Sequence, residues 1–273
     1  MMHDANHDAY SHNQDINKWL WYLMNVPLWL TRFGRKIQHN VIHHNETNIN
    51  GRDWDLEVTN LIRFTKYQQH KWFHKYQHIY AWLLYAGETI ERFAISDFTK
   101  IKKYAEIGNM SPKILQSEIL ILIATKILHI ILFIGIPLLI TSYSRVLVIW
   151  GFIAMHMVMG FVSSIVFQLA HIVHEVDIYP SIDIKSEKWF LQHQLETTAN
   201  FCPNNTMLSR LIGGLNFQIE HHLFRHVCHI HYPQIAPIVQ EFCKEHRLPY
   251  HSIPSFKKAI LSHQQELKEL WTI

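Results

Sequence analysis

The sequence predicts an all-α integral membrane protein, with one transmembrane hairpin and a cytoplasmic helical cap that carries clusters of histidine. Three observations predict it. Two long apolar runs lie side by side in mid-chain, Gly and Pro number only nine each, and 22 of the 273 residues are His. Scarce turn residues argue against a turn-rich β fold. The 48% hydrophobic content places the chain among ordered proteins.

The hairpin comes first. Residues 119–140 carry one Lys and one His, and residues 146–169 carry no formal charge. Each run can cross a hydrocarbon core of roughly 30 Å at about 1.5 Å per residue. Only residues 141–145 separate them, so the two spans run antiparallel. A pair of buried helices in a soluble protein is the competing reading, and apolarity on every side of both runs speaks against it.

The remaining segments are read around that hairpin. Residues 19–33, broken by Asn25 and Pro27, carry Trp19, Trp21 and Trp29 and read as an interfacial segment. Residues 45–112 are polar with interleaved aromatics and read as amphipathic helices on the membrane surface. After Val173 the chain is soluble in character, ending in an exposed helix over 255–271. The opening residues show no cleavable signal peptide. A net charge of +3, evenly spread, excludes nucleic acid as a partner. Cys202, Cys228 and Cys243 form no CxxC pair and no disulfide framework, which suits a reduced compartment.

Four histidine clusters carry the chemistry. HDANH supplies His3 and His7, and HNVIHH supplies His39, His43 and His44. QLAHIVH supplies Gln168, His171 and His174, and QIEHH supplies Gln218, His221 and His222. Residues three or four apart share a helix face, so each cluster can aim two imidazoles at one metal. One hairpin returns the chain to the side it left, which puts all four clusters on one membrane face. Lys100, Lys102, Lys103 and Lys113 precede the first span, against Arg145 alone in the short loop. The positive-inside rule makes the metal face cytoplasmic. Imidazole suits zinc, copper, iron and nickel alike. The number of nitrogen donors exceeds what one zinc needs, and neutral ligands leave charge on the metals for oxygen species, which suits iron and O2.

Other histidines read more plainly. His12, His246, His251 and His263 lie in polar stretches and read as solvated. His70, His74 and His78 recur every four residues and read as an interfacial helix face. His129 and His156 lie inside the apolar spans, where a functional role is the default reading and a neutral, hydrogen-bonded His is the alternative.

HDANH, HNVIHH and QIEHH, in that order, resemble the three histidine boxes of the membrane fatty acid desaturases. HNVIHHNETNINGRDWDL, FQLAHIVHEVD and HQLETTANF extend the likeness, so it covers residues 1–273 as one desaturase domain. The Gln that opens the third box resembles the front-end, acyl-lipid subgroup, which places a double bond between an existing one and the carboxyl end. The resemblance implies two non-haem iron ions, with O2 as co-substrate. It implies a fatty acyl-CoA or a membrane lipid acyl chain as substrate, and a separate electron donor of the cytochrome b5 or ferredoxin type. Residue by residue, it implies His3, His7, His39, His43, His44, His221 and His222 as metal ligands. His171 resembles the extra ligand just after the last membrane helix. Gln218 stands where other desaturases have a His. His193 is a neighbouring partner, and Asp4, Asp53 and Glu220 are acceptors that could orient ligating imidazoles.

The sequence also departs from the family's pattern. The family carries two membrane helices ahead of the first box, and here that box opens at His3, so the expectation is an N-terminally truncated chain. Asp8 follows HDANH where Gly is usual, and Arg225 follows IEHHLF where Pro is common. A related di-iron hydroxylase, or a non-catalytic truncated paralogue that binds metal or lipid, are the alternative readings.

Overall fold

The structure is a computed structural model, and it describes residues 2–25, 32–57, 59–181 and 187–272. The chain divides into two compact units, residues 1–41 with 83–164, and residues 42–82 with 165–273.

The first unit opens with α1 (Met2–Asn6) and α2 (Gln14–Asn25). Trp21 of α2 is buried while Ile16, Trp19 and Leu23 are exposed, with Trp19 at 72%. That apolar outer face covers part of the expected interfacial segment; residues 26–31 of it lie outside the described residues. Asp8 has φ +56°, a left-handed conformation open to Gly and tolerated by Asp, and its carboxylate pairs with Lys36 at 2.8 Å. This accounts for an Asp where Gly is usual. Helix α3 (32–46) follows, α-helical at its ends and π-helical over Lys36–His43. Asn6 and Asn40 exchange hydrogen bonds, Nδ2 to Oδ1 at 2.7 Å and Nδ2 to the Asn6 carbonyl at 2.8 Å, which ties α1 to α3.

Helix α4 (77–107) also contains a π-turn, over Arg92–Ser96. Helix α5 (Pro112–Ile140) starts on a proline, whose missing N–H costs nothing in the first turn, and α6 (Arg145–His171) follows a short link. Both helices are longer than the apolar runs that announced them. Both are long and apolar enough to cross a membrane, yet only 22% and 17% of their most apolar stretches are buried.

Within this unit α5 and α6 bury Leu122 and Val148, and with them several polar groups. His129 and His156 are fully buried with Nε2 atoms 3.2 Å apart, and His156 Nδ1 lies 3.3 Å from Thr89 Oγ1. This is a hydrogen-bonded imidazole pair, ringed by Phe93, Phe133 and Phe152. One turn earlier, Lys126 Nζ meets Asp97 at 2.9 Å and the Phe93 carbonyl at 2.7 Å. Gly160 lets α6 touch the α4 backbone: a Cβ there would lie 2.8 Å from the Ala86 carbonyl and 2.9 Å from that of Tyr85.

The second unit corrects several expectations. Residues 47–57 and 59–71 are turns and irregular chain rather than amphipathic helix. Asn48 and Gly51 take left-handed φ of 52° and 76°, which ends the helix, and Ile49, Leu56, Ile62 and Phe64 are buried beneath the loop. His70, His74 and His78 share no helix face, because the helical path begins only at Trp72. His74 is buried, with Nδ1 accepting from the Lys71 N–H at 3.2 Å. The all-α expectation also needs an addition. Between α7 (Glu187–Thr197) and the later helices, β1 (Ala199–Phe201) pairs in parallel with β2 (His251–Ile253). Their register is Ala199 to His251 and Phe201 to Ile253, which leaves His251 half-buried rather than solvated. The helices α8 (Thr206–Leu211), α9 (Gln218–Leu223), α10 (Tyr232–His246) and α11 (Phe256–Glu269) complete the unit. Leu195, Ile219, Val239 and Cys243 form the core that joins α7, α9 and α10.

His263 on α11 is a further correction. It is buried rather than solvated, because α11 turns Ala259, Ser262, His263 and Leu267 inward. Its Nδ1 donates to the Ile172 carbonyl at 2.5 Å, one of the carbonyls a helix end leaves without intrahelical partners. Burial lowers its pKa to about 4. The unfolded chain, with an ordinary histidine, takes up this proton first. Stability is therefore fully present above about pH 6.5 and falls as pH drops toward 4. Thermal unfolding of metal-free protein at a series of pH values should show that decline, and it should be shallower in His263→Gln. Equal slopes in the two proteins would rule the assignment out.

Candidate metal centre

Two sets of imidazoles gather, and each lies within one unit. In the first unit, α1 brings His3 and His7 to His39 of α3. His3 Nε2 is 3.0 Å from His39 Nε2, and the three ring centroids are 4.8–5.1 Å apart. His7 and His39 are buried. His3 is held well below the ordinary histidine pKa, by burial first and then by neighbouring His7, with Asp4 pulling the other way. Asp4 itself is buried in α1.

In the second unit, His43, His44, His171, His221 and His222 are all at least 97% buried. His43 and His44 are consecutive, so on a helix they point about 100° apart. His43 turns to His171, with centroids 4.7 Å apart, and His44 turns to His221 at 4.6 Å. His222 stands beside both, 5.1 Å from His43 and 4.4 Å from His44. The outcome is two triads, His43–His171–His222 and His44–His221–His222. Within each, one nitrogen per ring lies within 4.8 Å of the others. The π-turn that leads into His43 is a distortion common at functional sites.

The donor chemistry suits metal. Outer groups hold four of the five rings by Nδ1. His43 Nδ1 lies 3.0 Å from Asp53 Oδ2, and His171 Nδ1 lies 3.4 Å from the Thr197 carbonyl. His222 Nδ1 meets Gln194 Oε1 at 2.7 Å, and His221 Nδ1 meets the Tyr232 hydroxyl at 3.3 Å. An imidazole bound through Nδ1–H presents Nε2 as its lone-pair donor, the usual arrangement of a metal-ligating histidine. Phe167, one turn before His171, packs its ring against His43 and His171 at 4.9 and 4.7 Å. The buried imidazoles, with the Phe167 ring against two of them and no carboxylate within either triad, make a nitrogen-rich site.

The remaining candidates fall into place around these groups. Asp53 faces His43 and also accepts from the backbone N–H groups of Asn48 and Asp55, each at 3.0 Å. Glu220 does not face an imidazole. Its carboxylate accepts from Asn200 Nδ2 at 2.7 Å and the Tyr250 hydroxyl at 2.9 Å, because α9 turns it toward β1. Burial raises its pKa. Gln218 is buried, donates to the Leu215 carbonyl at 2.9 Å and contacts His171. His193 stacks on Trp189 with centroids 4.6 Å apart, outside both triads, and burial lowers its pKa to about 4. His174 is half-exposed and pairs with Glu269 at 3.1 Å. Sequence reasoning missed Asn48, Thr47, Gln194, Thr197 and Tyr232. Asn48 and Thr47 lie in the motif HNETNIN, and Gln194 and Thr197 in HQLETT, but nothing in those strings assigns them a role.

Two triads of buried imidazoles that could each hold a metal, in a chain with two helices long and apolar enough to cross a membrane, define a histidine-box class of protein. Residues 1–254 match the fatty acid desaturase family, and the chain belongs to it. It is similar to an sn-1 linoleoyl-lipid 6-desaturase of Arthrospira platensis, 33% identical over 269 residues, covering 98% of this chain and 72% of that protein. A second sn-1 linoleoyl-lipid 6-desaturase, from Synechocystis, is 32% identical over 274 residues, covering 98% of this chain and 75% of its own. An acyl-lipid (8-3)-desaturase of Physcomitrium patens is 32% identical over 281 residues, covering 99% of this chain and 56% of its own. No solved structure matches. The family makes the chain an oxidoreductase of fatty acyl groups.

Proposed function

We propose that this protein is a front-end acyl-lipid desaturase that uses two histidine-bound iron ions and O2. The observation that carries the reading is the set of five buried imidazoles, four held by Nδ1, in two triads that share His222. The relatives' names point to lipid-bound acyl chains as substrate. In this reading His43, His171 and His222 hold one ion through one nitrogen each, His44 and His221 serve the other, and His3, His7 and His39 are further ligands. Asp53 orients His43. Residues 1–273 act as one desaturase domain.

Iron bound there supplies the oxidising power of O2 toward an unactivated C–H bond. Two C–H bonds break and one C=C bond forms. O2 takes two electrons from the acyl chain and two from an external donor of cytochrome b5 or ferredoxin type, leaving two waters. The protein's own part is to hold the imidazoles in one tautomer and to keep water away, which their burial and the Phe167 ring do. An unactivated methylene offers no proton for acid–base chemistry, so no base is needed beside it.

Two further parts of the reading concern the membrane. The apolar residues that α5 and α6 leave exposed are what a lipid-facing hairpin requires, whereas a core helix of a soluble protein would bury them. The lysines before α5 support a cytoplasmic metal face by the positive-inside rule.

The test is expression in a host without desaturases for polyunsaturated chains, fed a diunsaturated fatty acid. Lipid acyl chains are then read by mass spectrometry. A new double bond on the carboxyl side of the existing ones is expected. A hydroxylated chain would point to a di-iron hydroxylase instead. No new product from protein that carries its iron would leave a metal-binding paralogue without turnover.

A further inference from the structure

We infer that Asn48 is a positioning residue that sets the spacing of His43 and His171 at one metal. The inference rests on the di-iron reading above, but the geometry that motivates it stands by itself.

Asn48 is 1% exposed and lies five residues after His43, at the point where α3 ends. Its φ of 52° is left-handed, a conformation that Asn adopts far more readily than most residues. That turn points its backbone and its side chain at two different ligand-bearing segments. The backbone N–H donates to Asp53 Oδ2 at 3.0 Å, the same oxygen that faces His43 Nδ1 at 3.0 Å. The side-chain Nδ2 donates to the His171 carbonyl at 2.7 Å. It lies 3.3 Å from the Asp177 carbonyl and 3.4 Å from that of Thr197. The Thr197 carbonyl is also the partner of His171 Nδ1, at 3.4 Å.

One residue therefore touches the acceptor that orients the His43 ring, the backbone of His171, and the acceptor that faces the His171 ring. The amide can sit only one way round, because a flipped Oδ1 would face three carbonyl oxygens. The His171 carbonyl also lies at the C-terminal end of α6, where helix carbonyls lack intrahelical donors, so Asn48 supplies a bond the helix cannot make for itself. Asp in its place would keep the shape and the left-handed turn but lose the donors. Gly would keep the turn and remove the amide without adding charge.

The test compares wild type, Asn48→Asp and Asn48→Gly as purified full chains. Readouts are iron per chain, stepwise release of iron to a chelator, Mössbauer spectra, and the thermal midpoint of the metal-free protein. Removing an outer partner of a metal ligand typically weakens the metal about 10–100-fold. One of two iron equivalents should leave at about 10–100-fold lower chelator in both variants, while the other is released as in wild type. The spectra should become those of one retained ion. Release of both irons alike, with a lower metal-free midpoint, would make Asn48 a plain fold residue and overturn the inference. Wild-type release in both variants would overturn it equally. If wild-type protein itself holds no iron pair, the di-iron reading is what fails.

Discussion

Replacing His222 with alanine is expected to abolish turnover and to lower the iron content. His222 stands beside both His43 and His44, and its Nε2 is the nitrogen left for a metal. Its ring is fixed by Gln194 Oε1 at 2.7 Å and lies 3.3 Å from Thr47 Oγ1, and it is 3% exposed. Gln194→Ala, which leaves the ligand but frees its ring, should cost about 10–100-fold in metal affinity or rate. His222→Ala should go beyond that, to no detectable product and no more than one iron per chain. The check is iron content by mass spectrometry beside acyl-chain analysis of the same preparation. Two irons retained in His222→Ala would remove His222 from the ligand set.

The second large effect is expected on folding rather than chemistry. Gly160→Val should yield little or no folded protein. The Cβ would meet the Ala86 and Tyr85 carbonyls at 2.8 and 2.9 Å and the Thr89 N–H nitrogen at 3.2 Å. All three are backbone atoms, so the contact cannot be relieved by turning a side chain. Overpacking of this kind costs about 1–3 kcal/mol for a modest excess, and the branched side chain adds more. The contact also sits one turn from His156, whose carbonyl accepts from Thr89 Oγ1 at 2.7 Å, so pushing α6 away from α4 breaks that bond as well. Gly160→Ala should fold with a lowered thermal midpoint in detergent. A Val variant that melts with wild type would show that the two helices can separate freely here.

Much of this protein is written locally, and that part was legible. Apolar runs announce α5 and α6 because lipid-length hydrophobicity is a property of consecutive residues. The histidine pairs are legible for the same reason, since i, i+4 spacing defines a helix face without reference to anything else. Family membership follows from those strings and their order.

What the sequence could not assign depends on residues far apart in the chain. His263 reads as solvated because its neighbours are polar, and only the docking of α11 on Ile172 buries it. His70, His74 and His78 have a helical spacing, but the chain through His70 is not helical, so the periodicity has no face to define. Glu220 adjoins two ligands in sequence, yet α9 aims it at Asn200 and Tyr250. Asn48 and Gln194 are 146 positions apart in numbering and meet the same triad, Asn48 at the His171 carbonyl and Gln194 at the His222 ring.

The sequence by itself determined the class of fold, the histidine supply and the family, because each is carried by short-range pattern and composition. Only the tertiary structure decided which imidazoles share a triad, which nitrogen each ring presents, and which neutral side chains hold them. Those are matters of direction at a few ångströms, set by how separate segments pack, and no spacing along the chain encodes them.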